Sequence, residues 1–93
     1  MGVNLGDCVK IRSTITDENG APLIPDSHII LLIDSSKNTV ETKTNPDAKG
    51  GGVFEIEFSL PSSGPIGVWV VEWCICDVGG CNEKERFTFW VNE

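Results

Sequence analysis

Tyrosine is absent from this chain, and histidine and methionine occur once each. The side chains that most often move protons in catalysis are therefore nearly missing. His28 is the only imidazole, it stands at a strand entrance, and no Ser–His–Asp constellation can be assembled around it. A solvent-facing or capping histidine is expected there. Long apolar runs are missing too. The longest, residues 29–33, is five residues, far short of the ~20 of a membrane-spanning helix. No capped segment repeats its apolar positions at helical spacing. Bases are scarce, 7 Lys+Arg against 14 Asp+Glu for a formal net charge of −7. Such a chain repels phosphate backbones and anionic lipid, so nucleic acid and membrane insertion are set aside as partners. The start, "MGVNLGD", has neither the basic nor the hydrophobic region of a secretory leader. Met1-Gly2 reads as an addition made when a domain is cut from a longer secreted protein.

What is present alternates with a period of two. In "VFEIEFSL", Phe54, Ile56, Phe58 and Leu60 share one face, and Glu55, Glu57 and Ser59 the other. "RFTFWVN" places Phe87, Phe89 and Val91 opposite Thr88 and Trp90, and "CVKIRSTIT" places Val9, Ile11 and Ile15 opposite Lys10, Arg12 and Thr14. "GVWVVEWCI" buries Trp69, Val71, Trp73 and Ile75, while Val68 and Val70 make its second face partly apolar. "HIILLID" is apolar on both faces and suits a central strand covered on each side. "TVETKT" reads as an edge strand, with Glu41 and Lys43 deterring edge-to-edge pairing. The segments "DENGAP", "DSSKN", "NPDAKGGG", "PSSGPIG" and "DVGG" are turn chemistry. These runs predict one domain over residues 1–93. It is all-β: an immunoglobulin-like antiparallel β-sandwich of about seven strands. At this size the core is thin, and covalent help is useful.

Two stretches carry a family resemblance. "GDCVKIRSTITDENGAPL" is similar to the opening of macroglobulin-like and bacterial immunoglobulin-like modules: Gly-Asp, a strand, then Asp-x-x-Gly-x-Pro. "GGVFEIEFSLPSSGPIGVWVVE" resembles their Gly-x-Phe-x-x-x-Phe-x-Leu-Pro followed by Gly-x-Trp, and "FTFWV" their closing Phe-x-Val. The resemblance implies a seven-stranded sandwich of the kind strung together in secreted and cell-surface proteins, with no family active site to transfer. Neither a thioester motif nor a bait-like loop is found, and the cluster "CICDVGGC" lies outside the family pattern.

Cys74 and Cys76 fall on one face of a strand, and a four-residue turn then sets Cys81 opposite Cys76 at a spacing that suits a disulfide. Strand neighbours such as Cys74 and Cys76 are ~6.5–7 Å apart with parallel Cβ vectors, which disfavours bonding them to each other. In an immunoglobulin-like sandwich the first strand can lie parallel to the last, which would bring Cys8 beside Cys74. The expected bridges are Cys8–Cys74 and Cys76–Cys81. Cys8–Cys76 with Cys74–Cys81 stays open if the hairpin slips register. By loop closure the long bridge would contribute ~4 kcal/mol and the short one ~2 kcal/mol. Zinc prefers Cys-x₂₋₄-Cys knuckles, and no Cys-x-x-Cys opens a helix, so no metal is expected at these sulfurs. Staples imply an oxidising compartment: extracellular, cell-surface or periplasmic.

Other candidates are weaker. Asp17, Glu18 and Asn19, with Asp34 and Asp47 in other loops, could hold calcium, but Asx-Gly turns need the same residue types. Trp90 alternates outward and could stack on a sugar or anchor an interface. Glu55 and Glu57 share a polar, solvated face. The serines of "SLPSSGPIG" form no nucleophile elbow. The expectation is a non-catalytic module, without cofactor and monomeric in isolation. It would act in structure, assembly or recognition beside neighbouring domains or another surface protein. A carbohydrate-binding module using Trp90 and a strand-exchanging filament subunit are the alternatives.

Overall fold

The computed structural model describes residues 2–77 and 80–93, with backbone alone for residues 77 and 82. Among the described residues eight strands are found: β1 (Gly2–Asn4), β2 (Cys8–Thr14), β3 (Ser27–Ile33), β4 (Thr39–Lys43), β5 (Asp47–Gly50), β6 (Val53–Ser59), β7 (Gly67–Asp77) and β8 (Gly80–Asn92). They form two sheets, β1-β8-β7-β3-β4 and β2-β6-β5. This is the all-β, immunoglobulin-like sandwich that the period-two pattern predicts. The centre of the expected "DVGG" turn, residues 78–79, lies outside the described residues.

The inner faces are the ones the alternation assigns. Val9 and Ile11 of β2, and Phe54, Ile56 and Phe58 of β6, face Ile30 and Leu32 of β3 and Trp69, Val71 and Trp73 of β7. Phe89 and Val91 complete the core. Trp69 and Trp73 are sealed from solvent, and each indole N–H has an acceptor: Pro65 O at 2.9 Å and His28 Nδ1 at 3.1 Å. Truncating either ring to alanine would remove ~3–5 kcal/mol of packing.

Two elements differ from the sequence reading. Asp47–Gly50, read as turn, pairs with β6 as β5. Its polar, glycine-rich composition carries no strand signal, and pairing with β6 alone supplies the order. β1 was not anticipated either; it runs parallel to β8, Gly2 opposite Trp90 and Asn4 opposite Asn92. The chain then crosses to the other sheet, with Leu5 N donating to Asn92 O and Leu60 N to Asp7 O. Only after this crossing does the strand containing Cys8 begin.

Glycine is required at one junction. Gly52 leads into β6 with φ +80°, and a Cβ there would lie 2.5 Å from Ile15 O. The β7–β8 hairpin, at the same end of the molecule, sets the long axis. Thirteen residues in β8 at ~3.3 Å each span ~43 Å, against a longest extent of 41 Å. β4 is an edge strand as expected, but Lys43 does more than discourage pairing. It reaches across to the smaller sheet, donating to Glu57 O at 2.6 Å with its ammonium 5.3 Å from the Phe58 ring centroid.

Candidate interaction surface on the larger sheet

Antiparallel partners point the same way, so the outer face of the larger sheet can be read row by row. Trp90 lies beside Val68. The next row is Thr88–Val70–Ile33–Thr39, then Arg86–Glu72–Leu31–Thr42, then Lys84–Cys74–Ile29. Val68, Ile29 and Trp90 are exposed, the last with 50% of its surface open, and Val70, Leu31, Ile33 and Cys74 are half-buried. β3 is apolar on both sides, as the sequence says, yet among the described residues nothing covers its outer side. Trp90 donates its indole N–H to Asn92 Oδ1 at 2.8 Å and stands in this face beside Val68 rather than alone.

One carboxylate interrupts the apolar rows. Glu72 is buried beneath Lys84, 3.0 Å away, and Arg86, 3.2 Å away. The hydrogen bond from Lys84 holds its carboxyl below the ordinary range against the opposing effect of burial. The smaller sheet repeats the device. Glu55 accepts from Arg12 at 2.8 Å, with Lys10 at 3.8 Å and Lys49 at 3.9 Å. Arg12's hydrogen bond, more than the neighbouring charges, lowers its carboxyl. Glu55 is therefore not part of a solvated face as expected, although Glu57 is exposed. The three cations that alternate onto its face from β2 and β5 shield it.

The cysteines fall on both sheets. Cys76 and Cys81 are joined across the β7–β8 hairpin. Cys8 and Cys74 are free, which corrects the expected Cys8–Cys74 bridge. The expectation placed Cys8 on the strand parallel to β8, but that place belongs to β1. Cys8 instead starts β2 on the smaller sheet, its Sγ 3.5 Å from Ser59 Oγ, at the pole where β8 ends. Gly67 lies at that pole opposite Val91, and Cys74 is seven residues further along β7, ~23 Å away. Disulfide geometry needs Cα atoms within ~7 Å. The four sulfurs do not share one pole.

The remaining candidates resolve into structure. Asp17 Oδ1 accepts from Asn19 N at 2.8 Å and Ala21 N at 3.0 Å. Asp34 Oδ1 accepts from Ser36 N and Asn38 N, each at 2.9 Å. These are Asx turns, with the carboxylates committed to backbone. Glu18 is exposed in the same turn, and Asp47 lies on β5 opposite Glu55. Among the described residues no three His, Cys, Asp or Glu side chains converge as metal ligands. His28 is neither solvent-facing nor a cap. It lies on the inner face, accepting from Trp73, with its ring centroid 4.7 Å from that of Phe54. The buried indole needs an acceptor, and the imidazole supplies it. Burial lowers the His28 pKa.

Two clefts open at the hairpin end. One, of about 240 Å³, lies between Ser13, Thr14, Ile15 and Thr16 on one side and Trp73, Ile75 and residues 83–85 on the other. A second, of about 280 Å³, is lined by Leu23, Ile24, Pro25, Asp26, Ile75, Cys76 and Glu83. Both are below the ~300–1,000 Å³ usual for small-molecule sites. Sequence reasoning missed these edges and clefts, since register, not composition, creates them.

Among known proteins, no family model matches the chain, and no curated protein matches it significantly. Its fold, however, is found in solved structures. A point mutant of Salmonella alpha-2-macroglobulin superposes with a TM-score of 0.80 over 99% of this chain, at 17% identity. The chain spans only 6% of that protein's length. CopC from Methylosinus trichosporium OB3b superposes with a TM-score of 0.59 over 98% of this chain and 81% of its own, at 20% identity. The fold is thus that of a macroglobulin-like, immunoglobulin-type β-sandwich domain.

Proposed function

We propose that this chain is a non-catalytic module of an extracellular or periplasmic protein, and that it works by docking the outer face of its larger sheet against a neighbouring domain of the same protein. The observation that carries this reading is that face itself: Val68, Val70, Ile33, Leu31, Ile29, Cys74 and Trp90 form an open apolar surface centred on β3 and β7. Contiguous apolar surface of this kind is unusual on a lone soluble domain and marks contact sites. The cross-strand disulfide supports an oxidising compartment. The likeness to a small part of a much longer macroglobulin supports a modular setting. Trp90 serves the docking reading better than a sugar-binding one. A sugar platform needs a second aromatic partner, and Trp90 is the only exposed large aromatic among the described residues.

The two free thiols make a built-in test. Cys74 lies in the docking face, and Cys8 is exposed on the outer face of the smaller sheet. Alkylation of both is followed in the chain alone and in the longer protein. Cys74 is expected to react at least tenfold more slowly in the longer protein, with Cys8 unchanged. Equal Cys74 rates, or protection of Cys8 instead, would refute the docking face.

A further inference from the structure

A different surface, on the flank formed by β2 and β8, carries two sheet edges that nothing pairs among the described residues. β2 is the outer strand of the smaller sheet. β8 has β7 along one side, but along the other only β1, which stops at Trp90. From Glu83 to Phe89 the second edge of β8 is open. Unpaired strand backbone is a template for another strand. The 240 Å³ cleft separates this edge from the end of β2, leaving room for the inward side chains of a segment laid along β8.

The register says which side chains those are. Trp73 and Ile75 lie on the inner face, so their partners Glu85 and Glu83 turn toward the cleft, and Phe87 follows on the same side. Both glutamates are exposed, and neither has a cation partner among the described residues. The cations that alternate with them, Lys84 and Arg86, point outward and are engaged by Glu72. β1 already demonstrates the pairing mode: it lies parallel on the same edge, with Val3 packed against the core.

We propose that the β8 edge from residue 83 to residue 88 is a strand-addition site for an extended, basic segment of a partner. Lys or Arg of the incoming strand lies beside Glu83 and Glu85, and an apolar residue beside Phe87. Backbone pairing supplies affinity, and the alternate side chains supply selection. Charge on an edge strand ordinarily keeps other strands away. Here it refuses acidic strands, including a second copy of this chain with its net charge of −7, and admits basic ones.

The test uses a capped six-residue peptide with lysine at its first and third positions, valine at its fifth and threonine between them, the same peptide with glutamate for lysine, and the lysine peptide N-methylated along its pairing edge. Binding is read by amide hydrogen exchange and NMR shifts. The free chain is expected to show fast exchange at the outward amides of residues 83–88. The lysine peptide slows them, and the other two peptides bind at least tenfold more weakly. The double variant Glu83→Gln/Glu85→Gln weakens lysine-peptide binding at least tenfold. Both residues are exposed, so an unchanged Trp73 indole signal confirms its fold. Slow exchange before peptide is added, a footprint elsewhere, equal binding by the N-methylated peptide, or no binding at millimolar concentration would each overturn the site.

Discussion

The outer faces of the two sheets are built around the same device and end up different. Each centres on a buried glutamate beneath cations drawn from neighbouring strands: Glu55 under Arg12, Lys10 and Lys49, and Glu72 under Lys84 and Arg86. Around Glu55 the smaller sheet continues polar, with Glu57, Ser59 and Thr14 outward. Around Glu72 the larger sheet places apolar residues of β3 and β7 on every neighbouring row, from Val68 to Ile29. An ion cluster on a polar face completes a water-facing surface. The same cluster among Val70, Ile33, Leu31 and Ile29 suits the proposed docking face, where it would supply one fixed polar contact. The difference lies in β3, among the described residues the one strand with apolar residues at every outward position past its first.

Among changes to the two faces, breaking the smaller one outright is expected to have the largest effect. Gly52→Ala forces a Cβ to within 2.5 Å of Ile15 O at a φ of +80°. The loop between β5 and β6 must then move, and β5 carries Lys49. A loss of about 2 kcal/mol or more in urea unfolding is expected, with the β3–β7 amides still the last to exchange. An unchanged midpoint would show that the loop relaxes freely.

Acid separates the faces from the core they cover. Glu55 and Glu72 titrate below their ordinary value of 4.5 in the fold. Their contribution is complete above that pH and lost as pH falls through the lower folded values, where the unfolded chain binds the proton first. His28 acts earlier. Its folded pKa lies below 6.5 because burial disfavours the charged ring. The unfolded chain therefore takes up a proton that the fold refuses, and stability declines once pH drops below about 6.5. Protonation also removes the acceptor for Trp73. Two steps are expected in stability against pH. His28→Gln should remove only the upper one, and Glu55→Gln together with Glu72→Gln should reduce only the lower. A single step in the parent protein would show that His28 is not the first group to fail.

Much of this was legible from alternation alone. Phe54, Ile56, Phe58 and Leu60 of the β6 run, and Trp69, Val71 and Trp73 of β7, are buried as the period-two pattern requires. The hairpin bridge Cys76–Cys81 followed from local spacing. What failed needed long-range information. Cys8–Cys74 failed because Gly2–Asn4 takes the place beside β8 and the chain then carries Cys8 to the other sheet. β5 was invisible because "DAKG" has no strand propensity of its own. His28 was misplaced because the acceptor requirement of Trp73 arises only once β3 and β7 are paired. The open flank at β8 depends on where β1 stops, which no local pattern encodes.

The smallest expected effect sharpens the comparison most. Leu31 sits at the centre of the larger outer face, in the row of Glu72. If that face is water-exposed for good, Leu31→Ser should cost the isolated chain about 1 kcal/mol, as expected for a half-buried leucine, and cost the longer protein the same. If the face is covered by a neighbour, the isolated chain should still change by no more than that, because half of the side chain's environment is missing there. The longer protein should then lose more than the fragment, as expected for truncating a central interface residue. Ser59→Ala on the smaller face supplies the control and should be silent in both settings. The two stabilities measured side by side decide between the faces, and equal responses to Leu31→Ser in fragment and longer protein would place them on the same footing.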